Sequence, residues 1–399
     1  DKEARKSYLE EYIEPRRRKF NTLKERLDYL VNNDYYSKEI INMYDEYMIE
    51  VIYDFIRSKN FKFQSYMSAS KFYQNYALKS DDGEEILESY EDKVLIVALT
   101  LGDGDSKLAK DIAGKLINQE FQPATPTFLN AGRARAGKMV SCFLVNIEDS
   151  CEGISYGVSS ANHLSKIGGG VALNLTRLRA AGESIKGIKG AAGGVMGVAK
   201  LLEQSFSYFN QMGARQGAGA VYLNVLHPDF ETLLDSKKIN ADEKIRLTTL
   251  SIGAIIPDKF MELAEKNENC YAFYPHSIYQ KYGVHLDGIK MDEWYDKLAN
   301  DDEIEKKEIN PRELLTRIAQ TQQESGYPYV VFIDSANEQH TLKDVGMIKM
   351  SNLCCEIFQY QTPSDIKGYG QVSDWGQDIS CNLGSLNIAN VMDNKDIEK

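Results

Sequence analysis

The sequence predicts an α/β protein in two parts: a helical N-terminal domain over residues 1–120 and, over residues 121–399, the first part of a large, mainly parallel sheet structure. Two patterns predict it. Before residue 120, apolar residues recur at three- and four-residue steps, the spacing that lines one face of a helix. From FQPATPTFLNAG (121–132) onward the chain becomes short β-prone runs separated by glycine-rich turns and helical stretches, the alternation that builds βαβ units.

Phe20, Leu23, Leu27 and Leu30 define the first helical face, and SKEIINMYDEYMIEVIYDFI (37–56) repeats it after the Asn-Asn-Asp break at 32–34. Tyr35, Tyr36, Tyr44, Tyr47 and Tyr53 crowd this region; core and rim positions of packed helices explain them more simply than electron transfer. Seven runs then look like strands: SCFLVNIED, GGVALNLTRL, AGAVYLNVLH, LTTLSIGAIIP, YPYVVFIDS, KMSNLCCEIF and ISCNLGSLNI. GVMGVAKLLEQSFSYFNQM (194–212) reads as a helix between two of them, and the charged stretch 286–314 reads as a surface helical excursion. So many strands call for a large barrel or a doubly wound sheet that continues past residue 399.

Bulk numbers narrow the function. With 47 Lys+Arg against 59 Asp+Glu the formal charge is −12, which argues against a general nucleic-acid-binding surface because such surfaces neutralise phosphates with basic side chains. No run approaches the roughly 18 apolar residues of a membrane span, and no signal peptide is visible. The chain opens at Asp1 and closes on VMDNKDIEK, so both ends look cut. Six scattered cysteines without a CxxC argue for a reducing compartment rather than a disulfide scaffold, and five histidines without ligand spacing argue against a structural zinc.

Three glycine-rich pieces, KIGGGVALN (166–174), KGIKGAAGGVMG (186–197) and GARQGAGAVYLN (213–224), could bring backbone N–H groups up to a phosphate or could be close-packed turns. None fits a dinucleotide or P-loop fingerprint. In QPATPTFLNAG two prolines stiffen a loop that offers threonine hydroxyls, either as hydrogen-bond donors to a ligand or as turn punctuation. SNLCCEIFQ (351–359) sets two cysteines between an asparagine and a glutamate. If this segment is extended, Asn352, Cys354 and Glu356 share one face, while Leu353, Cys355 and Ile357 share the other. An ordinary strand with a polar solvent face is the plain alternative.

SNLC-x-E, preceded by QPATPTFLNAG, VSCFLVNIEDS, KxGGGVALNLTRLRAAG and GARQGAGAVYLN and followed by DISCNLGSLNI, resembles the large catalytic subunit of class Ib ribonucleotide reductases, with the motifs in the family's order. The resemblance implies a ten-stranded α/β barrel, of which residues 121–399 are the first part. It implies that Cys354 is the radical cysteine, that Glu356 is the base for the ribose 3′ hydroxyl, and that Asn352 is the amide beside them. Cys142 and Cys381 match the pair that reduces the 2′ carbon and closes to a disulfide. Thr125, Ser141 and Gly170, with the segment Asn352, Leu353, Cys354, Cys355 and Glu356, match substrate-holding positions; Asp149 and Arg179 match the site of a deoxynucleotide or ATP effector. Also implied are a homodimer of large subunits acting on ribonucleoside diphosphates in the cytoplasm and no cofactor held by this chain. The radical would come from a dimanganese or diiron small subunit, and electrons from a glutaredoxin- or thioredoxin-like donor. Cys355 departs from the pattern, which usually has a small polar residue there; alternation makes it an apolar-side filler. Another radical barrel enzyme, anaerobic reductase or glycyl-radical lyase, and a non-catalytic nucleotide-binding module are the competing readings.

Overall fold

The computed structural model describes every residue except 136, 210–216, 369–370 and 394–399. These fall into two compact units, Asp1–Ser141 with a segment that starts at Asn382, and Cys142–Cys381.

The first unit is built on helices whose ends and faces follow from the sequence. Helix Leu23–Asn32 starts where the Thr22 side chain accepts the Glu25 N–H, and it buries Leu27 and Leu30. Helix Glu46–Ser58 is capped by Asp45 and buries Ile49, Ile52 and Ile56. Tyr90–Gly102 opens with a Ser89–Asp92 capping box and is buried on almost every side, as an all-round apolar helix must be. Its buried Asp92 carboxylate accepts from Arg26 Nη1 at 2.6 Å and from the Tyr53 hydroxyl at 2.7 Å, the pairing a buried charge requires. Tyr36 and Tyr44 belong to this core and Tyr47 to its exposed rim. QPATPTFLNAG is not a stiff loop. Phe121–Pro123 is a strand and Thr125–Asn130 a short helix, with Pro126 in the first turn, where a missing N–H leaves no bond unmade.

In chain order the strands are β1 (Phe121–Pro123), β2 (Cys142–Asn146), β3 (Gly170–Asn174), β4 (Gly219–Asn224), β5 (Ser251–Ile256), β6 (Cys270–Phe273), β7 (Lys306–Ile309), β8 (Tyr329–Phe332), β9 (Asp365–Ile366), β10 (Val372–Asp374), β11 (Ile379–Cys381) and β12 (Gly384–Leu386). The second unit is organised by a six-stranded sheet in the order β11-β2-β3-β4-β5-β8. Strands β2, β3, β4, β5 and β8 run parallel, and β11 joins the edge antiparallel to β2. Every residue of β2, β3, β4 and β5 is buried, the reason these strands are written as continuous apolar runs. Helices Cys151–Lys166 and Val195–Tyr208 make the first two crossovers. Among the described residues no helix is long and apolar enough to cross a membrane.

Three expectations change. KMSNLCCEIF is a turn rather than a strand. ISCNLGSLNI splits into β11 and β12, the latter pairing with β1. The stretch 286–314 contains helix Met291–Ala299 but also β7, which pairs antiparallel with β6.

Candidate active site

Strand register places three of the singled-out residues in one row. Cys142 on β2 stands opposite Cys381 on β11 and beside Gly170 on β3. Residues directly opposite on antiparallel strands have Cα atoms about 4.5–5.5 Å apart, inside the range of about 4.4–6.8 Å that a disulfide spans. Both thiols are buried. Burial, followed by the nearby Cys142 and Glu356, pushes the Cys381 thiol up to about 12, so Cys381 holds its proton at neutral pH.

Gly170 explains what covers this row. A Cβ there would sit 2.5 Å from Leu353 Cδ2; the missing side chain lets Leu353 lie on the sheet, and Leu353 carries the 351–357 turn with it.

That turn is organised by one side chain. Asn352 is fully buried, and its Oδ1 accepts the N–H groups of Glu356 and Ile357, each at 3.0 Å. Its Nδ2 donates to Cys142 Sγ at 3.3 Å. Its backbone carbonyl accepts from the Cys355 N–H at 3.1 Å and from the Tyr222 hydroxyl at 2.7 Å. The chain reverses through Cys355 at φ +65°, the left-handed region that side chains seldom enter. Strand alternation therefore does not arrange SNLCCEIF: Asn352 points into the sheet, whereas Cys354 and Glu356 are exposed. Cys355 is not an apolar filler either. Its half-buried thiol lies 3.6 Å from the Val330 carbonyl; burial pushes its pKa up, and the Tyr222 and Ser351 hydroxyls act against that rise.

At the opposite ends of β2 and β3 the Arg179 Nε donates to Asp149 at 2.7 Å, and the Arg179 N–H reaches the same carboxylate at 3.1 Å. A cavity of about 440 Å³ lies against this pair, lined also by Ser150, Leu178, Gly193 and Gly194. The glycine-rich piece at 186–197 is thus part of its wall. Gly194, at φ +75°, could not carry a Cβ, which would fall 2.3 Å from Asp229 Oδ2. Asp229 in turn accepts the Ala181 and Val195 N–H groups. Buried Glu183 braces the same loop by accepting from Ala180 and His276, and burial pushes its carboxyl up to about 7. KIGGGVALN opens β3, and GARQGAGAVYLN enters β4, though its residues 213–216 lie outside those described.

Thr125 and Ser141 belong to the first unit. Thr125 Oγ1 and the Tyr76 hydroxyl are 3.1 Å apart; Ser141 Oγ is buried with no hydrogen-bond partner among the described residues. No group of three or more His, Cys, Asp or Glu among the described residues is placed to hold a metal ion.

Several residues at the site escaped the sequence reading. Asp287 takes the Arg177 Nε at 2.8 Å, Arg177 also binds Glu148, and Lys349 lies 3.9 Å from Asp287, three residues before Asn352. Tyr222 left one signal, a phenol set in an otherwise apolar strand run.

Comparison with known proteins gives the family. Residues 140–399 match the sequence model of the ribonucleotide reductase barrel domain, 62–136 that of the ribonucleotide reductase all-alpha domain, and 1–61 that of the ribonucleotide reductase N-terminal region. The chain belongs to the ribonucleotide reductase family. It is 51% identical over 399 residues to a Bacillus subtilis protein named ribonucleoside-diphosphate reductase subunit alpha, covering 100% of this chain and 57% of that protein. To the Mycoplasma genitalium protein of the same name it is 47% identical over 393 residues, 98% of this chain and 54% of the relative. A Neurospora crassa ribonucleoside-diphosphate reductase large chain is 29% identical over 389 residues, 97% of this chain and 38% of the relative. The family expected from the motifs is the one found, and the chain spans little more than half the length of these bacterial ribonucleotide reductase relatives.

Proposed function

We propose that the protein reduces ribonucleoside diphosphates to their 2′-deoxy forms as the large subunit of a class Ib ribonucleotide reductase, supplying precursors for DNA. The observation that carries this reading is the row Cys381–Cys142–Gly170 with the Asn352 turn seated on it. It joins two disulfide-competent thiols to an exposed third thiol and a carboxylate that lie in one turn. Removing a ribose hydroxyl has no easy ionic route, so the step needs radical activation, here delivered to Cys354 from outside the chain. The Cys354 thiyl takes the 3′ hydrogen atom, and the Glu356 carboxylate accepts the 3′ hydroxyl proton. The 2′ hydroxyl leaves as water; Cys142 and Cys381 supply two electrons and two protons, one proton to the departing hydroxyl and one to the 2′ carbon, and close to a disulfide. Glu356 returns its proton to the 3′ oxygen, and the 3′ carbon recovers its hydrogen from Cys354, which is left as the thiyl. An external dithiol must reopen the disulfide by exchange, which fits a reducing, cytoplasmic setting.

Gly170, Leu353 and Cys355 would shape the substrate's seat, with Thr125 and Ser141 carried over from their motifs as further substrate contacts. Asp149 and Arg179 would hold a deoxynucleotide or ATP effector, whose influence on substrate choice is a coupling free energy between two sites. A dimanganese or diiron tyrosyl-radical small subunit, a glutaredoxin- or thioredoxin-like donor and a second large subunit would be the partners. Assay of the full-length protein with its small subunit and a dithiol tests the reading. Deoxynucleotide from at least one of the four diphosphates is the expected result, and none under any effector would overturn it.

A further inference from the structure

We infer that Tyr222, on β4, is a positioning residue that sets the Cys354 thiol and the Glu356 carboxylate by holding the Asn352 carbonyl from beneath the turn. The inference rests on the proposed reduction chemistry. Tyr222 is fully buried, one of the largest side chains in the protein to be so. A phenol placed in an apolar strand loses water and must regain a hydrogen bond; a phenylalanine would fill the space without that demand. The Tyr222 hydroxyl donates to Asn352 O at 2.7 Å; of its other neighbours Cys355 and Ser351 belong to the same turn, and Tyr329 stands on β8.

Room for the ring is built in. Gly253 on β5 is the register partner of Tyr222, and a Cβ there would fall 2.3 Å from the ring. The turn therefore has three anchors: Leu353 on Gly170, the Asn352 amide on Cys142, and the Asn352 carbonyl on Tyr222. The Tyr222 hydroxyl acts on the reaction through Asn352, whose carbonyl also takes the Cys355 N–H and whose Oδ1 takes the Glu356 N–H. Cys354 directly precedes the first of those N–H groups in the chain, so both hold the backbone that carries it. Burial holds the Tyr222 hydroxyl far above the ordinary phenol range, so it remains a donor at every working pH.

Tyr222→Phe in the full-length protein, assayed with the small subunit, a dithiol and 3′-deuterated diphosphate, tests this. Loss of one positioning hydrogen bond is expected to lower kcat about tenfold with KM within about twofold. The isotope effect of 3′ deuteration should rise, because hydrogen abstraction by a displaced thiyl becomes slower relative to other steps. Gly253→Ala, which keeps the hydroxyl but displaces the ring, should give the same pattern. The unfolding midpoint is measured for both. Unchanged kcat and isotope effect overturn the inference. So does a loss of activity that follows the fall in midpoint while the isotope effect stays constant, since that is the mark of a merely structural tyrosine. No deoxynucleotide from the unsubstituted protein would overturn the functional reading itself, and this inference with it.

Discussion

Cys142 and Cys381 stand directly opposite each other in the register of β2 and β11. Long-range topology, not local sequence, makes them neighbours: β11 returns antiparallel to the edge of a parallel sheet. The two thiols can therefore close and reopen a bond while the strands stay paired, which a cysteine pair on separate loops could not guarantee. The Asn352 amide on Cys142 ties this cysteine pair to the turn that presents Cys354 and Glu356.

Gly170 should tolerate no side chain without disturbing that turn. In Gly170→Ala the new Cβ would meet Leu353 at 2.5 Å; the leucine is flexible, so the fold survives but the turn lifts. Activity of the full-length enzyme should fall about tenfold or more, the scale expected when reacting groups are misplaced, with little change in unfolding midpoint. Steady-state kinetics and a thermal melt check this together.

Asn352 performs two separable jobs. Asn352→Ala leaves the Glu356 and Ile357 N–H groups without their acceptor, at a cost of roughly 1–3 kcal/mol for each one that stays buried and unpaired, so both the unfolding midpoint and activity should drop. Asn352→Asp keeps the acceptor but removes the donor to Cys142 Sγ and sets a negative charge beside it. Its midpoint should stay closer to the unsubstituted value while deoxynucleotide formation is lost. Melting curves and product assays on the pair distinguish the two jobs.

Cys354 and Cys355 should respond oppositely to serine. Cys354→Ser should abolish turnover, because an alcohol O–H is too strong a bond to take the thiol's place. Cys355→Ser should retain most activity, since serine can still meet the Tyr222 and Ser351 hydroxyls that surround it. Cys355→Val should lose activity, because position 355 sits at φ +65°, where a β-branched residue is strained. Product assay of the three variants decides; equal loss in the two serine variants would contradict this account of the turn.

Cys381 should make stability sensitive to alkali. Its folded-state pKa is raised to about 12 by burial and by the neighbouring Cys142 and Glu356, whereas an unfolded cysteine ionises near 8.5. The protonated thiol therefore favours the folded state, and that contribution is complete below about pH 8.5 and lost as pH rises through the interval to about 12. Cys381→Ala should flatten the alkaline fall in unfolding midpoint, read by thermal melts across that range.

The strands buried on both faces were legible because burial writes itself as an unbroken apolar run; β2, β3, β4 and β5 all follow it. The turn at SNLCCEIF was not legible in the same way. Its residues alternate in polarity like a half-buried strand, and only tertiary contacts reveal that Asn352 is the buried amide and that Cys355 is left-handed. Motif order located Cys142 and Cys381, but their pairing depends on how β11 docks. Tyr222, Arg177, Asp287 and Lys349 went unremarked since each acts through a distant partner, and distance in sequence hides such partners.

If Cys142 and Cys381 carry the reducing electrons, a single turnover must leave them joined. The most direct test is an acid-quenched first turnover of the full-length protein with its small subunit, substrate and effector but no added dithiol, followed by alkylation and peptide mapping. A Cys142–Cys381 disulfide should appear only with substrate and in step with deoxynucleotide. Deoxynucleotide formed while both thiols remain open to alkylation would contradict it.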